Sequence, residues 1–389
     1  MKTKPLTLIL SLVIFSLFSC KKNEDCPAEN AGFEKVFGGN KEDVARSAIV
    51  KNDVLHVFGD SKSFDDPNGD YYVLKLDLDG ELISEKTFGG SGEETGVQIL
   101  PTQDGNFILI GSTTSSGAGL TDIQVIKINN ESDVIWSKTF GGPMKDSPAY
   151  VIETTSGEFC IAATTESFGS GSRDIYMLWL DQNGNEIRHK FYGNTDADGS
   201  AKVMELENEE LMLFGYTYNF DNNSRDLYLL KMNALGDSIW SKNYGGSDYE
   251  EPQDFEQTAE GDFVLHGHSA STDPLHDMYT LKVDENGEQI WKKEYGGAAH
   301  DGGQSMLINS EGNYVLIGRS TSFGSGDRGI YMVTTSADGS KLKDKVFGGT
   351  KNDWGQYILE HQAFYYIIGH SNSKSNGGDD DVYVIKHQK

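Results

Sequence analysis

Proline supplies only 8 of the 389 residues and cysteine only 3, and Lys and Arg are outnumbered 33 to 60 by Asp and Glu. Each shortage closes off a class of protein. Three cysteines cannot build a disulfide scaffold, and their spacing holds no zinc site. Cys160 falls in an apolar strand pattern at residues 158–162, where a buried free thiol is common, and no disulfide to Cys26 is expected. A formal net charge of −27 repels nucleic-acid phosphates and anionic headgroups, so nucleic-acid binding is discarded. Its plainer consequence is solubility. After residue 32 no helical periodicity of any length occurs. Catalytic signatures are missing too: there is no nucleophile elbow and no HExxH, and the nine histidines are scattered, with only His266 and His268 alternating along one strand. What the chain does have is glycine, 45 residues, and 11% aromatics. That mixture suits many short strands joined by turns, and it argues against disorder.

The N-terminus stands apart. Lys2 and Lys4 precede an apolar run over residues 6–18, which reads as a secretory signal core too short for a membrane span. It ends in Leu17-Phe18-Ser19-Cys20, which resembles a bacterial lipobox. The resemblance implies cleavage before Cys20, diacylation of its sulfur and acylation of its new amino group. Several acyl chains anchor stably where one is marginal. Position +2 is Lys21, not the aspartate of an inner-membrane retention signal, and the acids at 24 and 25 are similar to the export signals that place Bacteroidota lipoproteins on the cell surface. The expected organisation is a signal peptide over 1–19, a lipidated flexible tether over 20–32 and a folded domain over 33–389, with the chain at the outer membrane, exposed on the cell surface.

A repeat decides the fold. An aromatic followed by glycine recurs at Phe37-Gly38, Phe88-Gly89, Phe140-Gly141, Tyr192-Gly193, Tyr244-Gly245, Tyr295-Gly296 and Phe347-Gly348, with the glycines 51, 52, 52, 52, 51 and 52 residues apart. Each period contains four strand-like segments; in the second they cover 96–102, 106–113, 122–129 and 134–140, read as apolar runs covered on both faces and joined by tight Asp-Gly or Asn-Gly turns. Four antiparallel strands repeated radially make a propeller blade. The chain enters on a fourth strand at 33–37 and leaves on a third at 381–386, so the N-terminal strand is expected to complete the seventh blade and remove the open edge. The expected fold is therefore all-β, a seven-bladed β-propeller of four antiparallel strands per blade. The pattern Trp-x-Lys-x-Phe-Gly-Gly, an acid, then Asp-Gly-Asn-Phe-Ile-Leu-Ile-Gly-Ser-Thr resembles the bacterial propeller repeats called SBBP, and the blade ends at Trp240 and Trp291 resemble quinoprotein-like propellers. These resemblances imply a fold and little function.

Three sets of residues carry the functional expectations. The connections into each first strand, such as 141–147, and between second and third strands, such as 165–173, are long and share one face, which is the expected working face. Every blade places an acid there: Asp43, Glu94, Asp146, Asp198, Glu250, Asp301 and Asp353. As a ring at the channel mouth they would focus negative potential on a cation or a polyhydroxylated ligand; as turn elements each would accept N–H bonds from its glycine loop. Strict repetition favours the turn reading. Asn194, Asp196 and Asp198, with Glu205 at the twelfth place, give a calcium-like spacing, although strand geometry would aim Glu205 away. No cofactor is expected otherwise. Aromatics at Phe64, Phe168, Phe220 and Phe323, with Tyr249 and Trp354, either present rings to a sugar or protein or tuck between blades. Trp179 and Thr334 in place of the usual third-strand lysine, and Gly329 in place of the opening aspartate, are departures that could mark a binding side. The reading is a binding or scaffold module for an outer-membrane protein complex or an extracellular glycan; its rival is a carbohydrate-active hydrolase or lyase using acids at the channel mouth.

Overall fold

A computed structural model describes residues 32–389, apart from 65, 220–222, 247–248, 271–275, 376 and 378. The signal and tether, with Cys20 and Cys26, and the aromatic Phe220 lie outside the described residues. The described chain is all-β: seven four-stranded antiparallel sheets, each formed by consecutive strands except the last. In the second blade the strands are Glu94–Pro101, Phe107–Thr113, Asp122–Ile128 and Val134–Phe140, running from the channel outward. The seventh blade takes Asp353–His361, Phe364–Ser371 and Asp381–Gln388 from the C-terminus and Phe33–Phe37 from the N-terminus. Phe33 pairs with Lys386 and Phe37 with Val382, so the ring is closed by a strand from the opposite end of the chain.

Burial is graded across each blade. The second and third strands are covered on both faces, as in Phe107–Thr113 and Asp174–Leu180. The fourth strand is not; most of Leu82–Phe88 and Val134–Phe140 is exposed or half-buried. The expectation of four covered strands holds for the inner part of the blade only, because the outermost strand has no layer beyond it. The cores lie between blades. One of them joins Ile108, Ile110 and Val125 of the second blade to Val151, Ile161 and Leu178 of the third.

A bulge in every innermost strand, and a second in the outer strand of six blades, shape the wedge. Each innermost strand slips register once, at Ala45/Ser47, Gly96/Gln98, Pro148/Tyr150, Ser200/Lys202, Pro252/Asp254, Gly303/Ser305 and Gly355/Tyr357. A bulge re-aims a side chain and leaves an N–H outside the ladder. Here several of the re-aimed residues stitch one blade to the next. Ser47 Oγ accepts from Ile99 N at 2.9 Å, Gln98 exchanges bonds with both backbone groups of Val151, Lys202 meets Asp254 at 2.7 Å, and Asp254 accepts from Met306 N at 2.9 Å. On the outer strands of blades one to six a second bulge leaves Ile83, Ile135, Ile187, Ile239, Ile290 and Leu342 standing out of the sheet. Beside them, outer-strand lysines strap each blade to its neighbour's turn: Lys35 reaches Asp79 O and Glu81, Lys86 reaches Ser132 O and Asp133, and Lys190 and Lys242 reach Asp237 and Glu288.

Candidate functional site

The long-loop face starts from a repeated latch. In each blade the glycine turn brings the chain back to a carboxylate at the head of the innermost strand, and all seven of these acids are buried. Asp146 accepts from Gly142 N at 2.7 Å and Ser167 Oγ at 2.6 Å; Glu94 from Gly90 N at 2.9 Å and Thr113 Oγ1 at 2.7 Å; Asp353 from Gly349 N at 2.8 Å, Ser373 Oγ at 2.7 Å and Ser371. Asp43, Asp198, Glu250 and Asp301 accept in the same way from Gly39, Asn194, Gly246 and Gly297. A second carboxylate, at the head of the third strand, holds the adjoining loop, as Asp174 does with the N–H groups of Ser170 and Gly171. The two series converge on the first glycine of the turn. A side chain on Gly141, whose φ is +152°, would collide with Asp122 and lie 2.8 Å from Asp146 Oδ2. Burial, and then the charge of Asp146, pushes the Asp122 carboxyl above its usual value, and burial followed by Glu250 does the same to Asp226. In the sixth blade Gly329 stands where the second carboxylate would be.

The calcium-like spacing is pulled apart by the strand that carries it. Asp198 lies near the start of Ala197–Glu205 and Glu205 ends it, seven residues on, or about 23 Å at ~3.3 Å per residue. Glu205 accepts from Thr155 N and Thr155 Oγ1 on the opposite face, while Asn194 Oδ1 accepts from Asp196 N. Among the described residues no group of three or more His, Cys, Asp or Glu is placed to hold a metal ion.

The loop aromatics do not form one site. Phe64, Phe168 and Phe323 each lie over a tyrosine of their own blade, Tyr72 at 5.3 Å, Tyr176 at 6.1 Å and Tyr331 at 4.8 Å between ring centres. Phe64 and Phe168 remain about one-third exposed, on separate blades. Trp179 is a buried packing residue and no surface feature. Its blade has Arg188 where blades two, four and five have the outer-strand tryptophan; the Trp179 indole fills that space under the next blade's Gly236, with the guanidinium 4.6 Å above the ring. Thr334 is buried as well.

Asymmetry enters at two positions that the repeat leaves free. The second-strand residue that pairs with the position just after each ring acid is Asp60, Ser112, Thr164, Tyr216, His268, Arg319 and His370. The residue before each third-strand head is Gly69, Thr121, Arg173, Arg225, His276, Arg328 and Asp380. Blades three, four and six thus carry arginines on an acidic molecule, with histidines between them on blade five. Arg173 is paired with Glu166 at 3.0 Å, and Arg225 with Glu251 while stacking between Tyr216 and Tyr249 at 4.1 and 4.4 Å. Arg319 and Arg328 differ: among the described residues neither forms a salt bridge. Their guanidinium carbons lie 5.1 and 4.0 Å from the ring centre of half-buried Trp354, which itself stacks on His370 at 5.7 Å. Burial, and then the charge of Arg328, lowers the Arg319 pKa.

These two arginines open onto a cleft of about 320 Å³ lined by His268, His276, His300, Asp301, Gly302, Arg319, Thr321 and Arg328. His276 sits at the centre, at φ +60°, 5.7 Å from His268, 5.6 Å from His300 and 6.1 Å from Tyr249. Burial, reinforced by Arg319, lowers the His268 pKa to about 3, so that ring is neutral. Of the six aromatics singled out from the sequence, the structure gathers Tyr249 and Trp354 around this cleft. The arginines and histidines were missed because each looks isolated along the chain. Aligning the seven repeats and reading the variable residue beside each fixed acid would have shown them.

No family model matches the chain, and no curated protein matches its sequence. Solved structures do resemble it. The Neurospora crassa Pan2 WD40 domain superposes with a TM-score of 0.54 at 12% identity over 89% of both chains. The polysaccharide lyase Uly1 gives 0.53 at 11% identity over 90% of both chains. A puromycin hydrolase gives 0.55 at 11% identity over 86% of this chain and 51% of its own. At such identities the likeness concerns the propeller fold alone.

Proposed function

We propose that this chain is a lipid-anchored envelope protein whose propeller is a binding module for an extracellular glycan, met on the long-loop face. The observation that carries the reading is the Trp354 platform flanked by two guanidiniums that, among the described residues, have no carboxylate partner, at the edge of a cleft. Saccharide rings stack on such half-buried aromatics while polar groups at the rim fix their orientation. The position of the first strand supports an outward-facing site. Phe33 starts on the short-turn side of the seventh blade, opposite the cleft, so the chain enters the propeller on the face away from the site. The SBBP-like repeat agrees with a bacterial envelope setting.

A hydrolase or lyase driven by the ring acids has less support, since those carboxylates are buried and already accept loop hydrogen bonds. That a polysaccharide lyase has the same fold bears on architecture, not on this site's chemistry.

A glycan array probed with the purified full chain tests the reading: Trp354→Ala is expected to abolish the wild-type signals without lowering the melting temperature. An array with no signal, together with a stoichiometric protein recovered from gently solubilised membranes, would replace the glycan with a protein-scaffold role. Cys20→Ala is expected to move the chain from the membrane to the soluble fraction, and surface proteolysis of intact cells should degrade the wild type.

A further inference from the structure

We infer that the cleft between the fifth and sixth blades, with Trp354 of the seventh against its arginines, is an anion site, and that the glycan it takes is an acidic one, presenting a carboxylate or a sulfate ester to Arg319 and Arg328. This deepens the glycan-binding reading and rests on it. The protein has 60 acidic side chains and 33 basic ones, so a guanidinium without a carboxylate partner is out of keeping with its surroundings. Arg173 and Arg225, on the same face, have found Glu166 and Glu251. Arg319 and Arg328 have instead been brought near one another, both against Trp354. Two like charges held together over one ring are costly in the empty protein, and an anion between them relieves the repulsion.

Three further features fit an anion. Among the described residues Asp301 is the one carboxylate in the lining, and its Oδ2 already accepts from Gly297 N at 2.7 Å. Among the described residues the Nε atom of Arg328, a donor, is buried without a hydrogen-bond partner, as is the Nδ1 atom of the neutral His268 ring, which is only 8% exposed. Unsatisfied buried polar atoms are uncommon and mark a place where a ligand or water is expected. Guanidiniums bind carboxylates and oxyanions through paired, charge-assisted hydrogen bonds, and the tryptophan face beside them suits a sugar ring bearing that anion. Gly329 removes the acid that stands beside this position in the other blades, which leaves Arg328 without the local negative neighbour that Arg173 and Arg225 have.

The test is binding of the full chain to three soluble polymers: polygalacturonate for carboxylate, dextran sulfate for sulfate ester, and uncharged dextran. The expected result is binding to at least one charged polymer that weakens with added salt, with the preferred polymer identifying the anion. Arg319→Ala and Arg328→Ala should each weaken it by about tenfold or more, as loss of a charge-assisted contact does. Arg173→Ala, which removes a guanidinium already paired, should leave it within about twofold of wild type. If either alanine variant is unfolded, R319K and R328K keep the charge but lose the planar fork, and should still weaken binding severalfold. Equal losses in the Arg173 and Arg319 variants would overturn the proposal by reducing it to diffuse charge. Dextran bound as tightly as the charged polymers, and unaffected by the arginine variants, would overturn the anion site while leaving glycan binding intact. Binding to none of the three would overturn both.

Discussion

At the scale of the residue, the molecule shows how a repeat hides what it does not repeat. The seven acids were legible because each recurs four places after its turn, and their recurrence pointed to a shared local duty. The structure gives every one the N–H of its glycine turn. Trp179 was visible as a departure, but its meaning was not. It read as a departure that could mark a binding side, and it is a compensation: the indole stands on the third strand in place of the outer one, and Arg188 takes the outer place above it. Only the three-dimensional pairing of strands could separate those readings. Trp179→Ala should therefore destabilise the fold by about 3–5 kcal/mol, as large-to-small core changes do, with glycan binding by the folded fraction unchanged. Denaturant titration beside a binding isotherm measures both.

At the scale of the element, the unit is the wedge-shaped blade with a bulge in its innermost strand. Sequence spacing located the strands to within about two residues, since hydrophobic runs and Asp-Gly turns are local signals. The inner bulge was not legible, because one extra residue leaves the periodicity almost intact. Its consequence is nevertheless large. It turns Lys202 across the blade boundary onto Asp254 and Glu256, at 2.7 and 2.8 Å, with all but 9% of the lysine side chain covered. Burial alone would lower this lysine's pKa, but the charges of Asp254, Tyr150 and Glu256 hold it well above its ordinary value. Removing one member of such a pair strands the other. Lys202→Met is expected to cost about 3–5 kcal/mol, whereas exchange of Lys202 and Asp254 together for apolar residues should cost less than the single change. A double-mutant cycle in denaturant reads the difference.

At the scale of the whole molecule, the long-loop faces of blades four to seven gather a set of histidines and arginines that has stability consequences of its own. Burial, aided by neighbouring cations, lowers the pKa of His268 and His370 to about 3, and burial alone outweighs Asp254 in lowering His266 to about 4. Unfolding returns all three toward 6.5. Between about 6.5 and 4 the unfolded chain thus binds more protons than the folded one, and stability falls as the pH is lowered. Asp60 works against this by one group: burial raises its pKa to about 6, so the folded state holds that proton first. His56 in the first blade adds a fourth such ring, lowered to about 4 by burial and then by Lys75 and Lys51, so the balance is a net uptake of roughly three protons, or up to about 4 kcal/mol lost per pH unit near pH 5. Unfolding free energies measured at pH 7, 6 and 5 should fall in that order; a rise toward pH 5 would contradict the assignment of four neutral rings.

The seventh blade carries a mechanical consequence. Its outermost strand, Phe33–Phe37, is the first segment of the folded chain and the one that ties the ring shut. If the protein hangs from a lipid ahead of it, every tug of the medium on a bound polymer is transmitted through these five residues. Tension pulling Phe33 away from Lys386 would peel the pairs one at a time, beginning at that end, before any other blade feels it. Lys35 grips the neighbouring turn through Asp79 O, Gly80 O and Glu81, and Glu34 takes the hydroxyl of Tyr383. These contacts sit where the peel would start, so the propeller's tolerance of drag is set by a short zipper at its clasp and by the lysine that pins it.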